Sequence, residues 1–250
     1  MQRNNGTRFH NMEAATLSTQ ENLVMQSFNR VAALIGLVGS LIGQAAQATI
    51  VSGSVTTGTG SFIKLTVPFT ASTPDNTVGN DTFQNNNLYG FDEGQNIVIT
   101  APLQVDDLAN GLGGGTGPGT LAKNTVVASH YVFFDPKGVT SQKGTVSFDS
   151  NILAVISSTG KLAASDFLIH TGVNYLNPTD RGLEAGDFVT ITGLKQISVN
   201  WTASSPGDYV RVLTAFSPAA TVPEPSDMAL TLSGMACLGF ILRRRTAKRA

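Results

Sequence analysis

Gly, Pro, Asn and Asp cut the middle of this chain so often that no stretch there is long enough for a sustained helix. What remains between the breaks is a series of short runs rich in Val, Ile, Thr, Phe and Tyr. Such residues suit a pleated surface, and the breakers suit turns. The pattern predicts strands near 50–56, 61–67, 96–100, 125–134, 144–149, 152–157, 187–192, 195–201 and 208–216. Ile197, Val199 and Trp201 alternate with Gln196, Ser198 and Asn200, as in a strand with one face on a core. Val210, Val212 and Thr214 alternate with Arg211, Leu213 and Ala215 less cleanly. Short strands at this spacing predict a mainly β body, an antiparallel β-sandwich of jelly-roll type over residues 49–220. Helix signals are weak; Ala163–Asp166 suits one turn.

Two apolar runs flank that body. Val31–Gly43 carries no charge and is too short for a comfortable membrane span of about 20 residues. Arg30 precedes it, and Ala46-Gln47-Ala48 follows as a small-x-small cleavage pattern. Residues 1–48 therefore read as an N-terminal extension plus a secretory signal peptide, cut by signal peptidase after Ala48 with Ala46 and Ala48 as its recognised residues. The polar stretch before Met25 exceeds what a signal peptide needs, so translation is expected to start at Met25.

Residues 221–250 contain three parts in order: Pro223-Glu224-Pro225, the apolar run Met228–Leu242, and the cluster Arg243-Arg244-Arg245. This order at the extreme terminus resembles the PEP-CTERM sorting signal of Gram-negative bacteria. The resemblance covers roughly the last thirty residues. As a helix, the 15 apolar residues would extend about 22 Å. That is short of a ~30 Å hydrocarbon core, so thinning of the bilayer or snorkelling by Arg243 would accompany insertion. The arginines stop transfer and stay on the cytoplasmic side, leaving the Pro-Glu-Pro segment and the body outside. Each proline lacks a backbone donor and holds its neighbours extended, a form a protease can grip. The resemblance implies cleavage near Pro223, Glu224 and Pro225 by the membrane-embedded cysteine protease exosortase. It also implies an inner-membrane-anchored intermediate, final residence in the envelope or outside the cell, and association with extracellular polysaccharide. Thr231, Ser233, Cys237 and the TAKRA extension depart from the usual pattern. The phrases at 129–136, 181–191 and 204–214 look like body segments of other PEP-CTERM proteins.

Composition removes several classes of function. Residues 49–222 hold 8 Lys/Arg against 13 Asp/Glu, a net charge of −5. Phosphate binding needs a basic face, so nucleic acid is not an expected partner. Cys237 is the chain's single cysteine and lies in the C-terminal apolar run, which leaves the body without disulfides or thiolate zinc sites. His130 and His170 have no His or Cys at ligand spacing. No G-x-S-x-G elbow is present, and Ser158-x-x-Lys161 lacks its partner motifs. The glycine-rich loop 111–119 has no Lys-Ser/Thr after it and so does not read as a phosphate cradle. No catalytic residue is expected.

Acidic residues are the remaining candidates for a site: Asp92 with Glu93, Asp106 with Asp107, Glu184 with Asp187, and Asp208. Gathered at one end of a sandwich they would suit Ca²⁺, a hard ion taking oxygen ligands. They would equally suit sugar hydroxyls, with Tyr89, Tyr175 or Trp201 stacking. The competing expectation is solvated turn residues with local Asp208–Arg211 or Arg181–Glu184 pairs, worth ~0–1 kcal/mol at a surface. The first functional expectation is thus a non-catalytic envelope or matrix protein. The alternatives are a Ca²⁺-dependent carbohydrate-binding module and a secreted glycan hydrolase with two opposed carboxylates.

Overall fold

The computed structural model describes residues 47–216. The signal-peptide run with Ala46, the Pro223-Glu224-Pro225 motif, the C-terminal apolar run and Arg243–Arg245 lie outside the described residues. Among those described, no helix is long and apolar enough to cross a membrane.

The described chain is mainly β. Its strands are β1 (Ile50–Thr57), β2 (Phe62–Lys64), β3 (Thr77–Val78), β4 (Leu88–Asp92), β5 (Ile97–Val98), β6 (Leu103–Val105), β7 (Asp107–Leu108) and β8 (Gly119–Leu121). They continue with β9 (Val126–Phe134), β10 (Thr140–Phe148), β11 (Ile152–Ile156), β12 (Asn174–Tyr175), β13 (Phe188–Gly193), β14 (Gln196–Ala203) and β15 (Asp208–Ala215). One short helix, α1 (Thr159–Ala164), is followed by a 3₁₀ turn at Asp166–Leu168. A four-stranded antiparallel sheet runs β1-β10-β14-β13. A larger sheet runs β2-β4-β9-β15-β11-β7, with β2 parallel to β4 and the other pairs antiparallel.

The two sheets meet face to face. Ile50, Val146, Phe148, Ile197, Val199 and Trp201 from the smaller sheet share one apolar core with Leu88, Val132, Phe134, Val210 and Val212 from the larger. Trp201 is fully buried, and a large side chain so placed contributes about 1.5–3 kcal/mol over leaving it in water. In β14 the expected alternation is exact in burial: every second residue from Ile197 to Ala203 is buried.

The larger sheet is also covered on its other face, and this adds a third layer to the expected two. Tyr89, Phe91, Tyr131, Phe133, Tyr209 and Leu213 pack there against Phe69, Phe83, Ile99, Val105, Leu162 and Leu168 from loops and short elements. Tyr89, Phe133 and Tyr209 form a stacked row, with centroids 5.3 and 5.7 Å apart and interplanar angles of 17°. All residues of β9 after Val126 and all of β15 before Ala215 are buried. A strand covered on both faces loses its polar alternation, which is why the 208–216 pattern reads poorly in the sequence.

Period-two geometry then sorts the polar residues of this sheet. Leu88, His130, Val132, Val210, Val212 and Thr214 point toward the smaller sheet, and Asp92 joins them. Tyr89, Phe91, Tyr131, Phe133, Tyr209 and Arg211 point the other way, and Glu93 joins those. Gly90, between the two faces of β4, sits where a Cβ would come within 2.9 Å of Ile50 Cδ1, so the smaller sheet closes over it.

Candidate functional site: the carboxylates at the end of strand β4

Asp92 closes β4 and Glu93 follows it, so their carboxylates leave on opposite faces of the larger sheet. Each lies at the centre of a separate polar network.

On the inner face, Asp92 Oδ1 lies 2.8 Å from His130 Nδ1, and His130 Nε2 lies 3.0 Å from Thr214 Oγ1. Asp92 Oδ1 also accepts from the Ile50 backbone N–H at 2.9 Å, and Oδ2 accepts from Thr49 Oγ1 at 2.6 Å and pairs with Lys64 Nζ at 2.9 Å. Burial alone would raise the Asp92 pKa. The hydrogen bond and charge of His130, with the Thr49 and Lys64 hydrogen bonds, outweigh it and hold the carboxyl well below the usual range. The carboxylate–imidazole–hydroxyl order is that of a nucleophilic triad. Here, however, His130 and Thr214 have no exposed surface, because both lie between the sheets. A hydroxyl sealed in this way cannot reach a substrate. The chain therefore pins β4, β9 and β15 together.

On the outer face, Glu93 is 2% exposed and Arg211 fully buried. Arg211 Nε donates to Glu93 Oε2 at 2.7 Å and Nη2 to Oε1 at 3.0 Å. Ser129 and Tyr175 hydroxyls donate to the same carboxylate, Tyr175 at 2.8 Å. Arg211 Nη1 donates to the Leu162 carbonyl and to Ser165 Oγ, and Nη2 reaches Asp166 Oδ1 at 3.4 Å. All five guanidinium donors thus have acceptors. Asp166 in turn takes a two-pronged bond from Arg181, at 3.1 and 2.6 Å. Two carboxylates and two guanidiniums cancel in charge. Arg211 also lies 5.7 Å over the Tyr131 ring and Arg181 5.8 Å over Tyr175. Burial would lower the Arg211 pKa, but Glu93 beside it raises it further. Burial pushes the Tyr175 phenol well up, and Glu93 adds to this.

These partners correct both local ion pairs expected from the sequence. Residues three apart on a strand face opposite ways, so Asp208 and Arg211 cannot meet. Arg181 pairs with Asp166 instead of Glu184.

Where the two networks approach the surface, a cavity of about 250 Å³ opens between Gln47, Lys64–Val67, Asp92, Glu93, Gln95 and His170. His170 Nδ1 accepts the Gly172 N–H at 3.0 Å. Neither amide atom of Gln95 has a hydrogen-bond partner among the described residues. Both amide atoms are buried, so the polar side chains that open onto the cavity are those of Lys64, Asp92 and His170.

The other acidic candidates are not drawn into this cavity. Asp106 accepts from the backbone N–H groups of Ser157 and Ser158, both at 2.8 Å, from Ser158 Oγ, and from Lys161 Nζ at 2.7 Å. Its pKa is lowered because these bonds, Lys161 foremost, overcome the opposing effect of burial. It fastens the start of α1. Asp107 accepts the Gly117 N–H at 2.9 Å and orders the glycine-rich loop. Asp187 accepts the Thr202 N–H at 2.6 Å, and Glu184 is exposed. Asp208 is buried with Oδ2 unpartnered. Among the described residues no three of His, Cys, Asp or Glu are grouped to hold a metal ion. The aromatic side chains expected to stack on sugars are also elsewhere. Trp201 and Tyr89 belong to the cores, and Tyr175 is half-buried against Glu93.

No protein-family model, no curated protein and no solved structure matches the chain.

Proposed function

We propose that the chain is an exported, non-catalytic protein of the cell envelope or extracellular matrix, sorted and processed through a PEP-CTERM-like signal. The supporting observation is where the described strands start and stop. β1 starts at Ile50, just after Ala48, and β15 ends at Ala215, a few residues before Pro223. Both proposed cuts therefore fall outside the described strands, and the first releases Ala48, whose side chain is buried. Signal peptidase would act after Ala48 and exosortase near Pro223-Glu224-Pro225, with the C-terminal apolar run as a transient membrane helix held by Arg243–Arg245. The pair of facing sheets is read as a jelly-roll-like sandwich with an added outer layer. A body whose central Glu93–Arg211–Asp166–Arg181 network is neutral and paired internally suits a structural role beside exopolysaccharide.

A second reading, a carbohydrate-binding module, is supported by the cavity where Lys64, Asp92 and His170 meet. In that reading the sugar is held by direct hydrogen bonds and not through a calcium ion. Its carboxylates, Asp92 and Glu93, lie on opposite faces of one sheet and do not oppose each other across a cleft, so a hydrolase is the least supported.

Sorting is tested by replacing Pro223, Glu224 and Pro225 together with alanine in the native host. The variant is expected to accumulate as a membrane-bound precursor, with the released form reduced about tenfold or more by immunoblot of fractions, the loss of one recognised site. Unchanged fractionation would count against the sorting reading.

A further inference from the structure

We infer that the folded body carries a built site for its own processed N-terminus: the α-ammonium group of Thr49, received by Asp149. The inference rests on the proposed cut after Ala48. Hydrolysis there adds one water across the Ala48–Thr49 bond. The Ala48 carbon keeps the oxygen as a carboxylate, and the Thr49 nitrogen leaves as an amine that takes up a proton.

The nitrogen concerned is already positioned. Thr49 N donates to Asp149 Oδ1 at 2.8 Å, and Asp149 N donates back to the Thr49 carbonyl at 3.0 Å, next to the Ile50–Phe148 register pair. Asp149 is half-buried, and among the described residues its carboxylate has no ion-pair partner. Lys195, the nearest cation in the β13–β14 turn, donates instead to the Asp149 backbone carbonyl at 2.6 Å. The Thr49 side chain is fixed as well, between Asp92 Oδ2 and Lys64 Nζ. A neutral peptide N–H therefore occupies a place whose facing carboxylate lacks a counter-charge. Cleavage supplies that charge without moving the nitrogen, turning a bond with one charged partner into an ion pair.

Two consequences follow from the same geometry. The cut ties the start of the first strand to the end of β10 by an ion pair, and it releases Ala48, whose side chain is buried. It also removes Gln47, one wall of the cavity beside Lys64 and Asp92, so the cavity of the mature protein is wider than that of the precursor.

The groups facing the new amine are Asp149 at the end of β10, Asp92 at the end of β4 with His130 behind it, Lys64 on β2 and Lys195 in the β13–β14 turn. Asp149 is the one in direct contact, and it should raise the amine above the ordinary α-amino value of about 7.7–8.0.

The test uses the full chain, expressed with its own leader and purified from the exported fraction. Its N-terminal residue is sequenced, and the α-amine is acetylated at about pH 6.5, below both amine pKa values, and followed by mass spectrometry. The expected result is Thr49 at the N-terminus, acetylated about tenfold more slowly in the folded than in the urea-unfolded protein, the equivalent of one pKa unit. Asp149→Asn should bring the folded rate to within about threefold of the unfolded one. If that variant fails to fold, the wild-type ratio and an NMR titration of the wild-type amine decide. An N-terminus at Thr49 with equal folded and unfolded rates overturns this inference and leaves export intact. An N-terminus elsewhere overturns the cut after Ala48 and this inference with it.

Discussion

Arg211→Met should lower the stability of the body by about 3–5 kcal/mol, a large part of the 5–15 kcal/mol typical of a whole domain. The side chain removed is fully buried and holds Glu93, which is 2% exposed, by two hydrogen bonds. Without the guanidinium, the Glu93 charge stays in the interior with only the Ser129 and Tyr175 hydroxyls against it. The carbonyl of Leu162 and the hydroxyl of Ser165 lose a donor too, so the loss spreads to α1. Glu93→Leu should be similarly harmful, since it strands the cation, though Asp166 softens the effect at 3.4 Å. The two changes together should cost less than their sum, because no buried charge is then left alone. Urea unfolding of the two single variants and the double variant checks this. Single variants within about 1 kcal/mol of the parent would mean that the outer-face network does not hold the third layer.

Asp208→Asn should flatten the fall in stability that the parent shows from weakly acid to alkaline pH. Burial pushes the Asp208 carboxyl from 3.8 to about 8, with Asp187 and then Glu184 adding to it. Below pH 3.8 both folded and unfolded chains hold this proton. Between 3.8 and about 8 the folded chain keeps a proton that the unfolded chain has released, so stability falls as pH rises through that window and levels off above it. The loss should amount to about 3 kcal/mol, roughly half the unscreened value of a four-unit shift. Asp135, pushed up to about 6 by burial and by Asp81, acts in the same direction between 3.8 and 6. Asp92 and Asp106 act in the opposite sense. Their pKa values are depressed, so their contribution is present above about 3.8 and is lost as pH falls further. The parent should therefore be most stable in weak acid, and the Asn variant should gain most above pH 8. Thermal unfolding between pH 4 and pH 9 measures both, and an unchanged slope in the variant would contradict the account.

The legible parts of the fold are those with one wet face. β14 could be read residue by residue because Gln196, Ser198 and Asn200 face away from the core that holds Ile197, Val199 and Trp201. β4 was not legible. Gly90 breaks its apolar run, and the reason for that glycine is Ile50, forty residues away in sequence. The start of β10, Thr140–Lys143, was also missed because its side chains are mostly polar and partner β14 through the backbone.

For the candidate site, the sequence pointed to Asp92 and Glu93 but not to their partners. As adjacent loop acids they suggest joint ligands. At the end of a strand they separate, and each finds partners that no local pattern announces: His130 at 38 residues' distance, Arg211 at 118, Tyr175 at 82. One signal was available. Arg211 sits in a strand otherwise apolar around it, and an arginine in such a run requires a carboxylate on the same face. Gln95 gave no signal, since the burial of its unpartnered amide is a consequence of how the β4–β5 loop folds.

The claim on which the functional account depends is that the chain is exported and cut at both ends. Intact-mass spectrometry of the protein recovered from the native cell measures it directly. The account predicts one species outside the cytoplasm, beginning at Thr49 and ending close to Pro223-Glu224-Pro225. A full-length chain in the cytosol, still carrying Val31–Gly43 and Arg243–Arg245, would contradict it.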